Sequence, residues 1–185
     1  MSIFASLGET AAVPDILKMS PVAGIALIDL HEALLRGPSP LTEGERELIA
    51  TYVSGLNKCR YCFTVHAACA ESYGYTRAQI DACLEDIESA DIEPKMVPLL
   101  KVAKTLTENP SGMTKALAQE VYDARWGESA LHDAIMVISC FNFMNRLLEG
   151  HGVHGGGEFL QKRGPMLKEY GYAPINKMLE PLLAK

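Results

Sequence analysis

A Cys-x-x-Cys pair, Cys59 and Cys62, lies within residues 43–73 and constrains the fold of this chain more than any other feature. His66 follows four residues after Cys62. On a helix these three positions are spaced i, i+3 and i+7, so their side chains share one face. The stretch therefore predicts a helix that presents two thiols and one imidazole on the same side.

The residues before the pair predict where this helix begins. Gly55 and Asn57 interrupt the helical pattern, and Asn57 is the expected N-cap. Cys59 and Cys62 then lie in the first turns, where free N–H groups and the positive end of the helix dipole favour a thiolate. Glu47 lies on the preceding predicted helix, which folds back towards the same place. Two thiols, an imidazole and a carboxylate together form a candidate redox site.

The other segments also carry helical patterns. Thr42, with Glu45 three residues later, is a capping box that predicts a helix start at about residue 43. Ser129 is the predicted cap of a segment whose apolar residues surround the helix, which is typical of a helix buried centrally or against a neighbouring subunit. The predicted helices are Pro21 to the Gly37–Pro40 break, 43 to Gly55, the cysteine helix to near Gly74, Thr76–Asp86, Pro94–Leu106, 113–125, Ser129–Gly150, about 158–169 and 174–183.

No segment alternates apolar and polar residues as a strand does, so the sequence predicts an all-α fold. Residues 1–150 are expected to form one domain, of which residues 1–19 are an irregular N-terminal arm. Residues 151–185, which include the Gly155–Gly157 run, are expected to form a C-terminal helical tail. This tail either belongs to the same domain or packs on a neighbouring subunit.

Composition and patterning argue against several classes of protein. The net charge is −6 with no basic stripe, so a nucleic-acid partner is not expected. The longest apolar run, 134–144, is too short to span a bilayer, and the first residues carry no secretory signal pattern. Five cysteines cannot all pair within one chain. A reducing, cytoplasmic setting is therefore expected, where a Cys-x-x-Cys is more often catalytic or metal-binding than structural.

Zinc binding is the main structural alternative for the pair. Cys59, Cys62, His66 and Cys69 offer four nominal ligands. Positions 59 and 69 of one helix, however, are ~15 Å apart along its axis. All ligands of a tetrahedral zinc site lie within about 2.3 Å of the metal. Redox chemistry is therefore favoured over zinc binding, and also over a role for the two cysteines as buried apolar residues.

The remaining cysteines and histidines have simpler interpretations. Cys69, Cys83 and Cys140 sit among apolar residues at helical spacing, and we interpret them as packing residues. His31 and His132 are interpreted as structural. His151 and His154 lie in the glycine-rich segment GHGVHGGG, where their spacing could ligate a metal but no third histidine is near. The sequence thus predicts neither a metal nor a cofactor.

The pattern Glu47-x11-Cys59-x-x-Cys62-x3-His66 resembles the alkylhydroperoxidase AhpD-like group of the carboxymuconolactone decarboxylase family. The likeness extends over RELIATYVSGLNKCRYCFTVH, similar to the core helical hairpin of the family. It continues in DAIMVISCFNFMNRL, similar to a later long helix with an Asn-Arg pair. It spans about residues 15–150, and the chain length and N-terminal arm are similar to the branch of peroxidase-related enzymes.

The resemblance implies an all-helical protein that assembles as homo-trimers or homo-hexamers. It implies that Cys62 attacks a hydroperoxide, that Cys59 resolves the product to a Cys59–Cys62 disulfide, and that His66 and Glu47 relay protons. It also implies re-reduction by a thiol, for which a dihydrolipoamide-bearing protein is the candidate. Reasoning from the helix dipole instead favours Cys59, nearer the helix start, as the more activated thiol.

Three other functions stay open from the sequence. The first is a dithiol–disulfide oxidoreductase acting on another protein. The second is a lyase like the decarboxylases of the family, although those members lack the cysteine pair. The third is a non-enzymatic oligomer whose disulfide only switches assembly.

Overall fold

The computed structural model describes residues 3–155 and 158–184. It confirms the all-α fold, because every regular element in those ranges is a helix, and none is long and apolar enough to cross a membrane. The α-helices are α1 (Val13–Leu17), α2 (Pro21–Arg36), α3 (Glu43–Leu56), α4 (Arg60–Ser72), α5 (Arg77–Glu85), α6 (Met96–Glu108), α7 (Lys115–Asp123), α8 (Glu128–His151) and α9 (Glu158–Tyr170). Short 3₁₀ helices cover Pro110–Gly112, Ala173–Met178 and Glu180–Leu182.

The hairpin of α3 and α4 is the centre of the molecule. α3 packs against α4, α5, α6 and α8, and residues 44–54 are all buried. Its start is the predicted capping box: the Glu45 N–H donates to Thr42 Oγ1 over 3.2 Å, and the Thr42 N–H donates to Glu45 Oε2 over 2.7 Å. A helix buried on every side holds its side chains in fixed positions.

The turn between α3 and α4 differs from the prediction. Cys59, not Asn57, occupies the N-cap position of α4. Asn57 closes the end of α3, and the chain then reverses through Lys58, which has a left-handed φ of 56°. The Asn57 amide instead ties the turn to α8, donating to the Oδ1 atoms of Asn142 and Asn145 over 3.0 and 2.9 Å. The long-range hydrogen bonds of Asn57 therefore outweigh its local preference for the N-cap position.

Other predicted boundaries were wrong by a few residues. α8 begins after Gly127 as N-cap, so Ser129 is already inside the helix. The arm over residues 1–19 contains the short helix α1, and the segment predicted over 113–125 is shortened to α7. The last predicted helix, 174–183, is two 3₁₀ helices, because prolines within it lack the N–H that an α-helix needs.

The C-terminal tail packs on its own chain in this structure. α9 lies against α4, and the 3₁₀ helix Ala173–Met178 lies against α2. At Gly164 a Cβ atom would lie 2.4 Å from the backbone of α4, so only glycine allows this approach. Glu32 of α2 accepts a 2.6 Å hydrogen bond from the Tyr172 N–H. Of the predicted Gly155–Gly157 break, residues 156 and 157 lie outside the described residues.

Candidate active site

Cys59 and Cys62 meet at the start of α4. Cys59 is the N-cap residue and Cys62 lies in the first turn, and their side chains are hydrogen bonded to each other. Both are buried, with 0% and 3% of their surface exposed, and both are free thiols. Two adjacent reduced thiols can exchange a proton or, after loss of two electrons, form a disulfide.

The expectation of a readily formed thiolate at Cys62 was wrong. Its pKa is raised well above the ordinary value, first by the hydrogen bond with Cys59, then by burial and by the negative charge of Cys59 as a thiolate. A hydrogen bond from Asn145 acts in the opposite direction, while the carboxylate of Glu149 raises the pKa further. At Cys62, the low-dielectric surroundings and the second thiol outweigh the effect of the helix dipole.

Asn145 is a site residue that sequence reasoning did not identify. It is buried on α8, and besides its contact with Cys62 its Nδ2 donates to Ser54 Oγ over 3.1 Å. Its Oδ1 accepts from Asn57, as described above, so both ends of the amide are fixed. The Asn-Arg pair in α8 was the available signal, but the pattern did not place it beside the thiols.

His66 and Glu47 form a buried pair across the α3–α4 hairpin. The Nδ1–H of His66 donates to Glu47 Oε2 over 2.7 Å, and Glu47 is 0% exposed. Burial alone would raise the pKa of Glu47, but His66 and Arg36 lower it to about 2, so the carboxylate is ionised. Since Nδ1 carries the proton of a neutral ring, Nε2 is left as the basic nitrogen.

Arg36 and Tyr172 complete the surroundings of Glu47, and neither was identified from the sequence. Arg36 Nη2 donates to Glu47 Oε1 over 2.7 Å, and the Tyr172 hydroxyl donates to the same oxygen over 2.9 Å. Burial would lower the pKa of Arg36, but Glu47 outweighs it and raises that pKa. Arg36 Nη2 also donates to the Leu167 carbonyl of α9 over 3.1 Å. The C-terminal tail is therefore hydrogen bonded to Glu47 through Tyr172 and to Arg36 through the Leu167 carbonyl.

A small cavity of about 40 Å³ is lined by Cys62 and His66. Its walls are mostly apolar, and they come from α1, α2, α4, α8 and the tail. The lining residues are Val13, Ile28, His31, Tyr61, Cys62, Val65, His66, Phe141, Met144, Arg163, Leu167, Tyr172 and Ile175. Cys59 is not among them, so Cys62 is the sulfur that a small molecule in this cavity would meet.

The other cysteines and histidines lie apart from this arrangement or at its edge. Cys69 contacts Arg36 Nη2 at 3.4 Å, behind Glu47, where burial raises its pKa. His31 lines the cavity wall and contacts the buried Cys140. His154 lies 3.4 Å from Glu149. Within residues 3–155 and 158–184, no three potential metal-binding side chains converge.

Comparison with known proteins gives the same fold. Residues 21–105 match the carboxymuconolactone decarboxylase family model. The Bacillus subtilis (strain 168) protein YdfG, itself uncharacterized, is 28% identical over 113 residues, covering 59% of this chain and 74% of YdfG. The AhpD-core structure of an uncharacterized peroxidase-related protein from Ralstonia eutropha JMP134 has a TM-score of 0.74 at 22% identity, covering 86% of this chain and 94% of that one. The debrominase Bmp8, solved with 2,3,4-tribromopyrrole, has a TM-score of 0.66 at 16% identity, covering 83% and 80%.

These matches confirm the resemblance drawn from the cysteine stretch. The matched family region contains α2 to α5 and most of α6, and therefore Glu47, both thiols and His66. One neighbour of this fold is a debrominase and another is an uncharacterized peroxidase-related protein, so the fold alone does not assign an activity. Residues 21–105 match the carboxymuconolactone decarboxylase family, and the chain has an AhpD-like fold.

Proposed function

We propose that the protein is a thiol-dependent peroxidase that reduces hydroperoxides through a Cys59–Cys62 dithiol–disulfide cycle. The observation that carries the proposal is that Cys62 and His66 line the same small, mostly apolar cavity, while the neighbouring thiol Cys59 interacts with Cys62 without lining it. His66 is in turn held by an ionised carboxylate, Glu47. This arrangement offers a nucleophile, a resolving thiol and a proton carrier in that order.

Attack begins with transfer of the Cys62 proton to Nε2 of His66. The raised pKa of Cys62 makes this step necessary, because little thiolate exists without a base. The thiolate then attacks the terminal peroxide oxygen, the O–O bond breaks, and the departing alkoxide takes the proton back from His66. The products are an alcohol and a Cys62 sulfenic acid. Glu47 stabilises the imidazolium that exists between the two transfers.

Resolution follows without large movement. The Cys59 sulfur attacks the sulfenic sulfur of Cys62, and the hydroxyl leaves as water with the Cys59 proton. Two electrons have then passed from the two thiols to the peroxide. An external dithiol returns them and is itself oxidised to a disulfide.

The choice of Cys62 as the attacking sulfur is supported by access rather than by charge. Cys62 lines the cavity and Cys59 does not. Near-complete burial of both sulfurs argues against direct thiol exchange with a folded protein, which is the dithiol oxidoreductase alternative. A slender reductant such as the dihydrolipoyl arm of a partner protein fits this burial better. We further propose that the protein works as a homo-oligomer, trimeric or hexameric, which sedimentation velocity would test.

The test measures consumption of cumene hydroperoxide with a dihydrolipoamide-regenerating system. Wild type, Cys62→Ser and Cys59→Ser are compared with Cys83→Ser, a matched control at a buried cysteine remote from the cavity. We expect turnover in wild type and Cys83→Ser only. Dimedone should trap a sulfenic acid in Cys59→Ser and none in Cys62→Ser.

Two results would overturn the proposal. If wild type forms the disulfide but consumes no peroxide, the pair acts as a protein oxidoreductase or a redox switch of assembly. If Cys62→Ser still forms a sulfenic acid and Cys59→Ser does not, the order of attack is reversed.

A further inference from the structure

An apolar groove lies on the outer side of the tail, directly over the cavity. It is formed by α9 and the following 3₁₀ helix, and its volume is about 270 Å³. Large apolar side chains line it although they are exposed to solvent: Phe159 is 55% exposed, Met166 57%, Tyr170 59% and Met178 49%. Such a concentration of exposed apolar surface is characteristic of a binding site.

The groove and the cavity in front of Cys62 share a wall. Arg163, Leu167 and Ile175 line both spaces. The groove and the cavity that holds the Cys62 sulfur are therefore adjacent. A second apolar groove of about 520 Å³, between α2 and α8, shares no lining residue with the cavity. Its larger size without such a connection makes it a suitable internal control.

The cavity and the groove differ in volume, so each can hold a different part of a substrate. A water molecule needs roughly 10–15 Å³ of such volume, so the cavity of about 40 Å³ accepts a peroxy group and little more. The groove, at about 270 Å³, approaches the lower end of small-ligand sites, roughly 300 Å³. The reactive group and the apolar body of an organic hydroperoxide match these two spaces.

The shared wall contains a side chain that can move. Arg163 is half-buried, and among the described residues its guanidinium forms no hydrogen bond or ion pair, lying only 5.5 Å over the Phe159 ring. Its neighbour Gly164, by contrast, fixes the backbone of α9 closely on α4. Passage between groove and cavity can therefore occur by rotation of Arg163, without lifting the helix.

We propose that this groove binds the apolar body of an aryl or branched alkyl hydroperoxide, with its peroxy group directed past Arg163, Leu167 and Ile175 to Cys62. The assignment of the ligand as a hydroperoxide rests on the proposed peroxidase function. The groove itself gives the protein a preference for bulky organic hydroperoxides over hydrogen peroxide. Hydrogen peroxide fills only the inner cavity and gains nothing from the groove.

The first experiment measures binding independently of turnover. The reduced protein, labelled with ¹³C at the methionine methyl groups, is titrated with cumyl alcohol, the product of cumene hydroperoxide reduction. We expect saturable shifts at Met166 and Met178, which line the groove, and none at Met19, which is 50% exposed in the control groove. Equal shifts at Met19, or no saturable shift at Met166 and Met178, would overturn the proposal.

The second experiment fills the groove. In Met178→Trp we expect kcat/KM for cumene hydroperoxide to fall at least tenfold while that for hydrogen peroxide stays within twofold. Met19→Trp is the matched control, because Met19 and Met178 have nearly equal exposure, and it should change neither value. Equal losses on both peroxides, or no loss, would overturn the inference. Binding at Met166 and Met178 without any peroxide turnover would refute the peroxidase function and leave the groove as a binding site.

Discussion

His31 and His66 line the same cavity, and the main difference between them is the group that each Nδ1 contacts. Both are buried, with 3% and 7% of their surface exposed. Both meet the ring of Phe141 edge-on, at centroid distances of 5.8 and 4.5 Å. The Nδ1 of His31 bonds the Leu27 carbonyl over 2.7 Å, whereas that of His66 bonds the Glu47 carboxylate over the same distance.

A neutral carbonyl and an ionised carboxylate give the two rings different chemistry. Burial lowers the pKa of His31 to about 4, and the bond to Leu27 compensates only in part. The His31 ring is therefore neutral at pH 7 and forms part of the cavity wall. In the proposed mechanism, Glu47 stabilises positive charge on His66 while the ring holds a transferred proton. The residue behind a histidine decides whether it can carry protons.

Replacing each histidine in turn tests this difference most strongly. We expect His66→Gln to lower the rate of cumene hydroperoxide consumption about 10²–10⁴-fold, because general acid–base catalysis contributes about that much. We expect His31→Gln to lower it less than tenfold. Single-turnover kinetics of sulfenic acid formation provide the measurement. Similar losses in the two variants would contradict the assignment of the proton relay to His66.

The second test removes the negative charge of Glu47, which contacts His66. Glu47→Gln leaves the Arg36 guanidinium buried with its partner charge removed. Breaking such a buried pair costs about 3–5 kcal/mol, and we expect the free energy of unfolding in urea to fall by that amount. Arg36→Gln combined with Glu47→Gln should be more stable than Glu47→Gln alone, since no unpaired charge remains. A Glu47→Gln protein within about 1 kcal/mol of wild type would show that solvent reaches Arg36.

The parts of this site that the sequence predicted are those encoded by local spacing. Glu47, Cys59, Cys62 and His66 lie within twenty residues, on two helices joined by a short turn, and helical periodicity brings them together. The fold class followed from the same periodicity across the chain. Even locally, the predicted N-cap was wrong, because the Asn57 amide bonds α8 instead of the start of α4.

The parts that the sequence did not predict depend on tertiary packing. Tyr172 reaches Glu47 from 125 residues away through a tail that had no definite place in the prediction. Arg36 ends α2, where a basic residue already suits the helix dipole and suggests no further role. The raised pKa of Cys62 comes from burial and from Cys59, neither of which a linear pattern measures.

The pH dependence of stability gives the third test. Unfolded His31 takes up a proton near its ordinary pKa of 6.5, whereas in the fold it does so only near 4. The unfolded state thus binds more protons in between, so stability is lost as the pH falls from 6.5 to about 4, by about 1–3 kcal/mol. Urea denaturation over this range should show the loss in wild type and a smaller one in His31→Gln.

Glu47 causes a separate loss of stability at lower pH. Its pKa is lowered from 4.5 to about 2, so its contribution is present above 4.5 and disappears as the pH falls towards 2. The His31→Gln variant should still show the loss of stability below pH 4.5 that Glu47 causes. An unchanged slope between pH 6.5 and 4 in His31→Gln would mean that the wild-type ring is protonated in the fold, and the contrast with His66 would fail.

The smallest expected effect comes from Tyr172→Phe. Its hydroxyl donates to Glu47 Oε1, which also accepts the charged hydrogen bond from Arg36, so removing it leaves the carboxylate paired. We expect a loss of about 1 kcal/mol, as for one ordinary hydrogen bond, and no change in the loss of stability assigned to His31. Tyr170→Phe, at an exposed position of the same tail, should stay within about 0.5 kcal/mol of wild type.

A loss in Tyr172→Phe as large as that in Glu47→Gln would change the physical account of the relay. Tyr172 would then hold the carboxylate, and the docking of the tail, instead of the α2–α3 contact, would set the state of His66. The Tyr172 ring packs near both His31 and His66, with centroid distances of 5.6 and 6.3 Å, whereas its hydroxyl bonds Glu47. Phenylalanine keeps the ring and removes the hydroxyl, so the variant separates hydrogen bonding from packing at this position.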